Sequence, residues 1–264
     1  KFRFDMDSAA GDNTRVCLPH PEILDVLEVD SLIFLDDGKV RARITKKGRD
    51  FVQAEIRSGS HLSNRKGLNV PGALIPIAAL TENDRAELEF ALNLGAGWIA
   101  QSFVQTPEDV REARALIDGR AGLMVKLEKP SALEHLDEII EQADAVMIAR
   151  GDLGVEIPPE NVPGVQKRVV RRVREAGKPV VVATQMLESM TASPAPTRAE
   201  ASDVATAIYD GAEAVMLSAE SATGAYPSEA VEVMDRIIRS TESHAFYTKA
   251  MTASREPSQT DADA

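Results

Sequence analysis

The sequence is poor in cysteine and has no long apolar segment. Cys17 is the single cysteine among 264 residues, and no hydrophobic run approaches the roughly 20 residues that span a bilayer. One cysteine excludes a disulfide framework within the chain and fits a reducing compartment, so we expect a cytoplasmic protein. Residues 1–5 alternate as a strand does, which is not the pattern of a signal peptide, and no membrane association is expected.

Positive charge is also scarce. The chain has 30 Lys and Arg against 42 Asp and Glu, giving a formal net charge of -12. Binding to a nucleic-acid backbone needs many Lys and Arg side chains, so nucleic acid is not an expected partner. A small phosphorylated ligand remains compatible with this charge if a metal ion or a few local cations neutralise it.

The first 70 residues have the pattern of short β-strands. Phe2, Phe4 and Met6 alternate with polar residues, and residues 36–39 place an Asp-Gly hairpin signal between two strand-like runs. We predict a small β-rich domain over residues 1–70, built as a barrel or sandwich of antiparallel strands.

From residue 71 to residue 250 the pattern changes to alternating helices and strands. Thr81, Thr106, Ser131 and Thr197 are each followed three residues later by an acid, as at helix starts. The apolar runs between the helices are typical of parallel strands buried on both faces; they are residues 98–100, 123–125, 145–148, 180–183 and 214–217. Periodicity alone fits either a doubly wound sheet or a (β/α) barrel. Residues 251–264 are polar and predict a linker or tail.

Polar, reactive residues follow every one of these apolar runs. The endings are Gln101-Ser102-Phe103, Lys126-Leu127-Glu128, Arg150-Gly151-Asp152, Thr184-Gln185 and Ser218-Ala219-Glu220. Because the carboxyl ends of parallel strands line the active sites of α/β enzymes, the repeated pattern indicates an enzyme site across adjacent strands.

Two of these endings carry carboxylates suited to a metal ion. Lys126 and Glu128 lie two apart, so on a strand they point to the same side and could simply pair. Asp152 follows the next strand, and two carboxylates at neighbouring strand ends can share one Mg²⁺, which takes few protein ligands and keeps several waters. Lys126 would then face a phosphoryl group. The glycines at 151 and 154 allow backbone amides to approach an anion closely.

Seven segments together resemble the signatures of the pyruvate kinase family. They are KGLNVPG at 66–72, KLEKP at 126–130, MIARGDLGVE at 147–156, ATQMLESM at 183–190, PTRAE at 196–200, DVA at 203–205 and MLSAES at 216–221. The resemblance covers about residues 1–245. Two small departures are Ala219, where the family has Gly, and Leu127, where it usually has Ile.

The resemblance implies a (β/α) barrel of TIM type with a β-rich lid inserted after its third strand. The five apolar runs would be the fourth to eighth strands, so the chain would hold the lid (residues 1–70), a partial barrel (71–250) and a linker or tail (251–264). The first three strands would lie upstream of Lys1 and a regulatory domain downstream.

The implied activity is that of a phosphotransferase, which moves a phosphoryl group from phosphoenolpyruvate to ADP and gives pyruvate and ATP, the last step of glycolysis. By resemblance, Glu128 and Asp152 bind Mg²⁺ or Mn²⁺. The implied substrate-binding residues are Lys126, Ala149, Gly151, Asp152 and Thr184, and the implied catalytic residues are Lys126, Thr184 and Ser218. Lys66 would contact the nucleotide. Full-length members also use K⁺, whose ligands would lie upstream, and form homo-oligomers, typically tetramers.

Two alternatives stay open at this point. One is another Mg²⁺-dependent barrel enzyme acting on pyruvate enolate, such as an aldolase or lyase; it would share the strand-end carboxylates but would not explain the lid or the 66–72 segment. The other is a catalytically incomplete fragment, because a barrel lacking three strands has two open edges.

Overall fold

The structure is a computed structural model that describes residues 1–64, 66–73, 75 and 79–253. The strands are β1 Phe2–Asp5, β2 Arg15–Cys17, β3 Leu32–Leu35, β4 Val40–Lys47, β5 Phe51–Ser58, β6 Leu68–Asn69, β7 Trp98–Gln101, β8 Gly122–Leu127, β9 Ala145–Ala149, β10 Val180–Ala183 and β11 Ala214–Met216. The helices are α1 Pro21–Val26, α2 Glu82–Asn93, α3 Pro107–Ile117, α4 Pro130–Glu134, α5 Leu136–Gln142, α6 Arg150–Glu156, α7 Val162–Glu175, α8 Arg198–Asp210, α9 Ala219–Ala222, α10 Pro227–Glu242 and α11 Ala245–Ala253.

The first six strands form the lid sheet, in the order β2-β1-β5-β4-β3-β6. The predicted hairpin is confirmed, since β3 and β4 pair antiparallel across residues 36–39. The expectation of antiparallel strands throughout is wrong for one pair, because β2 lies parallel to β1. A parallel pair cannot be joined by a tight turn, and here the intervening loop carries the chain back to the start of β1.

Asp5 explains why this parallel pair forms. The alternation of β1 predicts an outward-facing polar side chain, yet Asp5 is only 4% exposed. Arg15 Nη2 on β2 lies 2.5 Å from Asp5 Oδ1, and Arg3 Nε lies 2.7 Å from Oδ2. These hydrogen bonds, led by that of Arg15, lower the pKa of Asp5 to about 2. The buried carboxylate therefore fixes β2 beside β1.

The remaining five strands form the barrel sheet, in the order β11-β10-β9-β8-β7, with every neighbouring pair parallel. Each strand lies next to its neighbour in sequence, so the order never reverses. A doubly wound sheet contains such a reversal, whereas a (β/α) barrel does not. The strand order therefore identifies an α/β fold containing part of a TIM-type barrel, which is the predicted fold class.

Burial explains why these sequences form the barrel strands and the helices around them. All five residues of β9 are buried, as expected for a strand covered on both faces. Thr81 and Thr197 each form a reciprocal capping box with the acid three residues on, as predicted. The predicted cap at Ser131 is wrong, because Pro130 occupies the first helical position and α4 begins there.

The lid and the barrel have separate hydrophobic clusters. One includes Ile33 and Ile44 of the lid, and the other includes Leu127 and Ile148 of the barrel. The limits 1–70 and 71–250 stay a prediction.

The helix α11 extends three residues into the predicted linker or tail, to Ala253, and its Phe246 ring packs against Tyr209 at 5.4 Å. The limits 251–264 stay a prediction. The rest of the predicted tail, residues 254–264, lies outside the described residues. Within the described part of the chain, no helix combines the length and apolarity needed to cross a bilayer.

Candidate active site

Residues that follow β7, β8 and β9 of the barrel line a cleft beneath the lid. The cleft has a volume of about 990 Å³ and lies between the lid and the end of the barrel sheet. Asp37 and Asn69 of the lid line it on one side, and Ser102, Lys129 and Asp152 of the barrel line it on the other. Ser102 and Asp152, two of the strand-end residues noted in the sequence, thus share one concave surface with the lid.

Lys126 and Glu128 form a close ion pair at the end of β8. Lys126 Nζ lies 2.6 Å from Glu128 Oε1 and donates to Ser102 Oγ at 2.8 Å. Glu128 is 2% exposed, and its Oε2 accepts a hydrogen bond from Phe103 N at 2.9 Å. The two side chains therefore pair with each other at the end of β8, as one interpretation of the Lys-x-Glu spacing predicts.

Asp152 lies near this pair, at the start of α6. Partial burial of its carboxyl and the neighbouring negative charge of Glu128 raise the pKa of Asp152, and Asp37 of the lid acts in the same direction. Lys126 opposes these effects. Glu128 and Asp152 are thus close enough to repel each other electrostatically, which is the situation that a shared divalent cation relieves.

This donor set fits a hard cation that takes few protein ligands. Among the described residues there is no group of three or more His, Cys, Asp and Glu side chains suited to a metal ion. Two carboxylates at adjacent strand ends instead suit Mg²⁺ or Mn²⁺, which retains water in its other positions. Zinc, which takes three or four nitrogen and sulfur ligands, does not fit this set.

Thr184 follows β10 and has a strained backbone. Its φ is 69°, in the left-handed region that β-branched residues rarely adopt. Its Oγ1 accepts a hydrogen bond from Gly151 N at 2.6 Å and donates to Ala183 O at 2.5 Å. The buried Ala149 lies beside Ala183 in the neighbouring strand. The predicted substrate-binding residues of β9 and β10 are therefore in contact across the two strand ends.

Arg150 is a site residue to which the sequence assigned no role of its own. Its guanidinium is largely buried and bonds to Asp203 of α8 and to the carbonyl oxygens of Ala183 and Thr184. It also donates to Gln166 Oε1 at 3.2 Å. Arg150 and Asp203 both fall within segments that resemble the family, but their pairing spans two βα units and leaves no local signal.

Ser218 lies at the end of β11 beside a buried carboxylate. Glu220 is 2% exposed and accepts hydrogen bonds from Ser218 N at 2.7 Å and Leu187 N at 3.1 Å. Glu220 thereby joins the ends of β10 and β11. Ser218 itself is half-buried and follows the last of the described strands.

Lys66 lies on the lid and is paired there. Its Nζ is 2.9 Å from Asp36 Oδ1, and this pair raises the pKa of Lys66 and lowers that of Asp36. The structure therefore places Lys66 with the hairpin of the lid.

Glu156 links the lid to the barrel, which the sequence did not predict. It is 7% exposed, and its Oε1 lies 2.5 Å from Lys129 Nζ and 2.8 Å from Asn69 Nδ2. Asn69 belongs to β6 of the lid, and Lys129 directly follows Glu128. Because α6 carries Asp152 in its first turn and Glu156 at its end, this contact fixes the lid to the helix that holds a candidate metal ligand.

Comparison with known proteins places this architecture in one family. The family model described as pyruvate kinase, barrel domain, matches residues 1–231. The chain is 55% identical over 264 residues to a pyruvate kinase of Methylorubrum extorquens, covering 100% of this chain and 55% of that protein. It is 58% identical over 236 residues to a pyruvate kinase of Agrobacterium vitis, covering 89% of this chain and 50% of that protein.

A more distant relative is a pyruvate kinase of Sporosarcina psychrophila, 42% identical over 261 residues, with 97% of this chain and 44% of that protein covered. The chain spans about half the length of the curated relatives it matches. The match extends across the lid and the barrel sheet alike, and on that basis the chain belongs to the pyruvate kinase family.

Proposed function

We propose that this chain forms the lid and part of the barrel of an enzyme that transfers a phosphoryl group from phosphoenolpyruvate to ADP. The observation that carries the proposal is the meeting of a cation, two repelling carboxylates and a hydroxyl at neighbouring strand ends beneath a lid. The relatives named above are pyruvate kinases, and the proposal extends their activity to this chain.

Glu128 and Asp152 are the residues that would hold Mg²⁺ or Mn²⁺. Burial and, after it, the negative charge of Glu128 raise the pKa of Asp152, which supports a shared cation at this point. A divalent ion held by these two carboxylates would supply positive charge to offset that of the phosphoryl group. Glu128 contributes a fixed ligand, because Phe103 N and Lys126 Nζ hold its two oxygens in place.

The substrate carboxylate would lie against α6 and the end of β10. The amides of Gly151 and Asp152 and the hydroxyl of Thr184 are the donors, and Ala149 closes the floor of this subsite. Gly151 N and Thr184 Oγ1 bond to each other at 2.6 Å, so the two groups are already positioned together. A carboxylate between them would exchange this contact for charge-assisted hydrogen bonds.

Lys126 would stabilise the negative charge that spreads over the transferring phosphoryl group. Phosphoryl transfer depends mainly on positioning and electrostatic stabilisation, so a fixed cation is the group it requires. Ser102 Oγ and Glu128 fix Lys126 Nζ without enclosing it, since a quarter of the side chain, 24%, remains exposed.

The enolate that remains must be protonated at carbon. Thr184 and Ser218, acting through water, are the candidate proton route, because a hydroxyl of ordinary pKa is a weak acid by itself. Lys66 would reach the nucleotide from the lid. Closure of the lid would exclude water and limit hydrolysis of the phosphoryl group.

For the whole protein we infer a cytoplasmic location, a K⁺ requirement and a homo-oligomer, as in the family. The free thiol of Cys17 supports a reducing compartment.

The test is pyruvate formation from phosphoenolpyruvate, ADP and Mg²⁺, measured beside Lys126→Met. We expect the substitution to lower turnover by about 10²–10³ while phosphoenolpyruvate affinity changes far less, because the lysine acts on the transition state. Lys167→Met is the matched control, since Lys167 pairs with Asp210 on the outer helices.

Three outcomes would count against the proposal or narrow it. Equal losses of turnover and affinity would contradict the transition-state role of Lys126. An aldehyde or acyl acceptor that outcompetes ADP would favour an aldolase or lyase. Binding of phosphoenolpyruvate with Mn²⁺ but no turnover would identify a catalytically incomplete fragment of the family.

A further inference from the structure

The end of β10 has a backbone conformation that must be held from outside the strand. Thr184 and Gln185 have φ values of 69° and 55°, both in the left-handed region. Neither residue is glycine, and for the β-branched Thr184 this conformation is a strained one. Such conformations persist only where the surrounding structure imposes them, and they cluster at functional sites.

Arg150 supplies that restraint. Its Nη2 donates to Thr184 O at 2.8 Å and its Nε donates to Ala183 O at 3.3 Å. The side chain is 12% exposed, so water competes little for these donors. Two consecutive carbonyl groups at the end of β10 are therefore fixed by one planar guanidinium.

Asp203 in turn fixes the guanidinium. Its Oδ1 and Oδ2 accept from Arg150 Nη1 and Nη2, each at 2.7 Å, which is the two-point geometry that orients an arginine best. Gln166 contacts the same guanidinium at the longer distance of 3.2 Å. Asp203 lies on α8, outside the sheet, and is half-buried.

The restraint on Thr184 affects the candidate carboxylate subsite. While Arg150 holds the carbonyl of Thr184, Thr184 Oγ1 accepts a hydrogen bond from Gly151 N at 2.6 Å. We propose that Asp203 is a positioning residue, which acts through Arg150 to hold Thr184 in the left-handed conformation that shapes a subsite for the carboxylate of a small substrate. The identity of that substrate rests on the proposed function; the positioning does not.

The test compares Asp203→Asn with the unsubstituted chain by two readouts. The ¹³Cα and ¹³Cβ chemical shifts of Thr184 and Gln185 report their backbone conformation without any ligand. Calorimetric titration reports binding of phosphoenolpyruvate in the presence of Mn²⁺. We expect the shifts to leave the left-handed range and the affinity to fall about tenfold, the effect of weakening one charge-assisted contact.

Three controls separate positioning from general damage. Glu89→Gln breaks a second two-point pair, with Arg120 at 3.0 and 2.8 Å, that lies away from the site, and should change neither readout. Binding of Mn²⁺ alone should be unchanged in Asp203→Asn, because Glu128 and Asp152 are untouched. Asp203→Glu, which keeps the carboxylate, should restore part of the affinity.

If Asp203→Asn does not fold, Arg150→Lys gives the same test, since it keeps the charge and loses the carbonyl contacts.

Unchanged Thr184 shifts in Asp203→Asn, with an affinity equal to that of Glu89→Gln, would overturn the inference. If the shifts move but the unsubstituted chain binds no phosphoenolpyruvate, the positioning role stands and the proposed function fails. If the chain binds phosphoenolpyruvate and Asp203→Asn alters neither readout, the proposed function stands and the positioning role of Asp203 fails.

Discussion

The lid sheet and the barrel sheet place their polar side chains in different positions along the strands. In β4 of the lid, Val40, Ala42 and Ile44 are buried while the arginines between them are more exposed. In β9 of the barrel every residue is buried, and polar side chains begin only where the strand ends. A strand with one solvent-exposed face alternates apolar and polar side chains, whereas a strand covered on both faces carries polar side chains only at its end.

This difference decides what a polar residue means in each sheet. A charged residue on a lid strand mostly lies on the solvent-exposed face. Asp5 is the buried exception, and it stabilises the sheet by binding Arg3 and Arg15. A charged residue at a barrel strand end instead lies at the candidate site, as Lys126 and Glu128 do. The comparison predicts that the two sheets respond differently to substitution.

The largest effects are expected from the two separate cores. Ile33 of the lid and Ile148 of the barrel are both 0% exposed, so substitutions at these two positions can be compared directly. Replacing either by Ala should cost about 2–5 kcal/mol of local stability through lost burial and a residual cavity. Hydrogen exchange should show that Ile33→Ala loses protection across β3–β5 only, and Ile148→Ala across the barrel strands only. Loss of protection in both sheets from either substitution would show that the two cores unfold together.

A smaller effect is expected from replacing Lys66 of the lid. Lys66→Met should weaken ADP binding about tenfold, the effect of removing one charge-assisted contact, and should leave binding of Mn²⁺ with phosphoenolpyruvate unchanged. Calorimetric titration with each ligand measures both. Lys39→Met is the control, because Lys39 also faces Asp36, at 3.7 Å, but is far more exposed. Equal effects of the two substitutions on ADP would mean that the lid contributes only general positive charge.

The sequence predicted the barrel strands and their reactive ends well, for a physical reason. Burial on both faces requires continuous apolar runs, so the residues that end each run stand out. Strand order was not available from periodicity, because a doubly wound sheet uses the same runs. Only the pairing of each strand with its sequence neighbour distinguishes the barrel.

The sequence could not predict contacts whose partners lie far apart in the chain. The pairs Arg150–Asp203 and Asn69–Glu156 join different elements, and no local pattern requires them. The left-handed backbone of Thr184 was also hidden, since threonine is not a residue from which that conformation is expected. The parallel pairing of β2 depends on burying Asp5, which alternation alone places outside.

The smallest effect concerns how the free energy of unfolding changes with pH. Its sign should differ between Asp5, a carboxylate that supports the fold, and Asp152, a carboxylate of the candidate site. The pKa of Asp5 is lowered to about 2, so its ionised form stabilises the fold. Asp5→Asn should therefore destabilise the chain by an amount that stays constant from neutral pH down to about the ordinary pKa of 3.8 and fades only below it. The pKa of Asp152 is instead raised by burial and by Glu128, so its ionisation costs folding free energy.

In the presence of a chelator, Asp152→Asn should stabilise the chain at neutral pH. That gain should fade as pH falls through the raised pKa of Asp152 towards its ordinary value of 3.8, because the unsubstituted carboxyl then becomes neutral in the folded chain. Denaturant unfolding of both variants between pH 7 and pH 3 measures the two slopes. A destabilising Asp152→Asn would mean that its carboxylate supports the fold as Asp5 does, and the contrast between lid and barrel carboxylates would be lost. A stabilising one would show that the barrel maintains this charge at a cost to its own stability, as expected of a group kept for binding a cation.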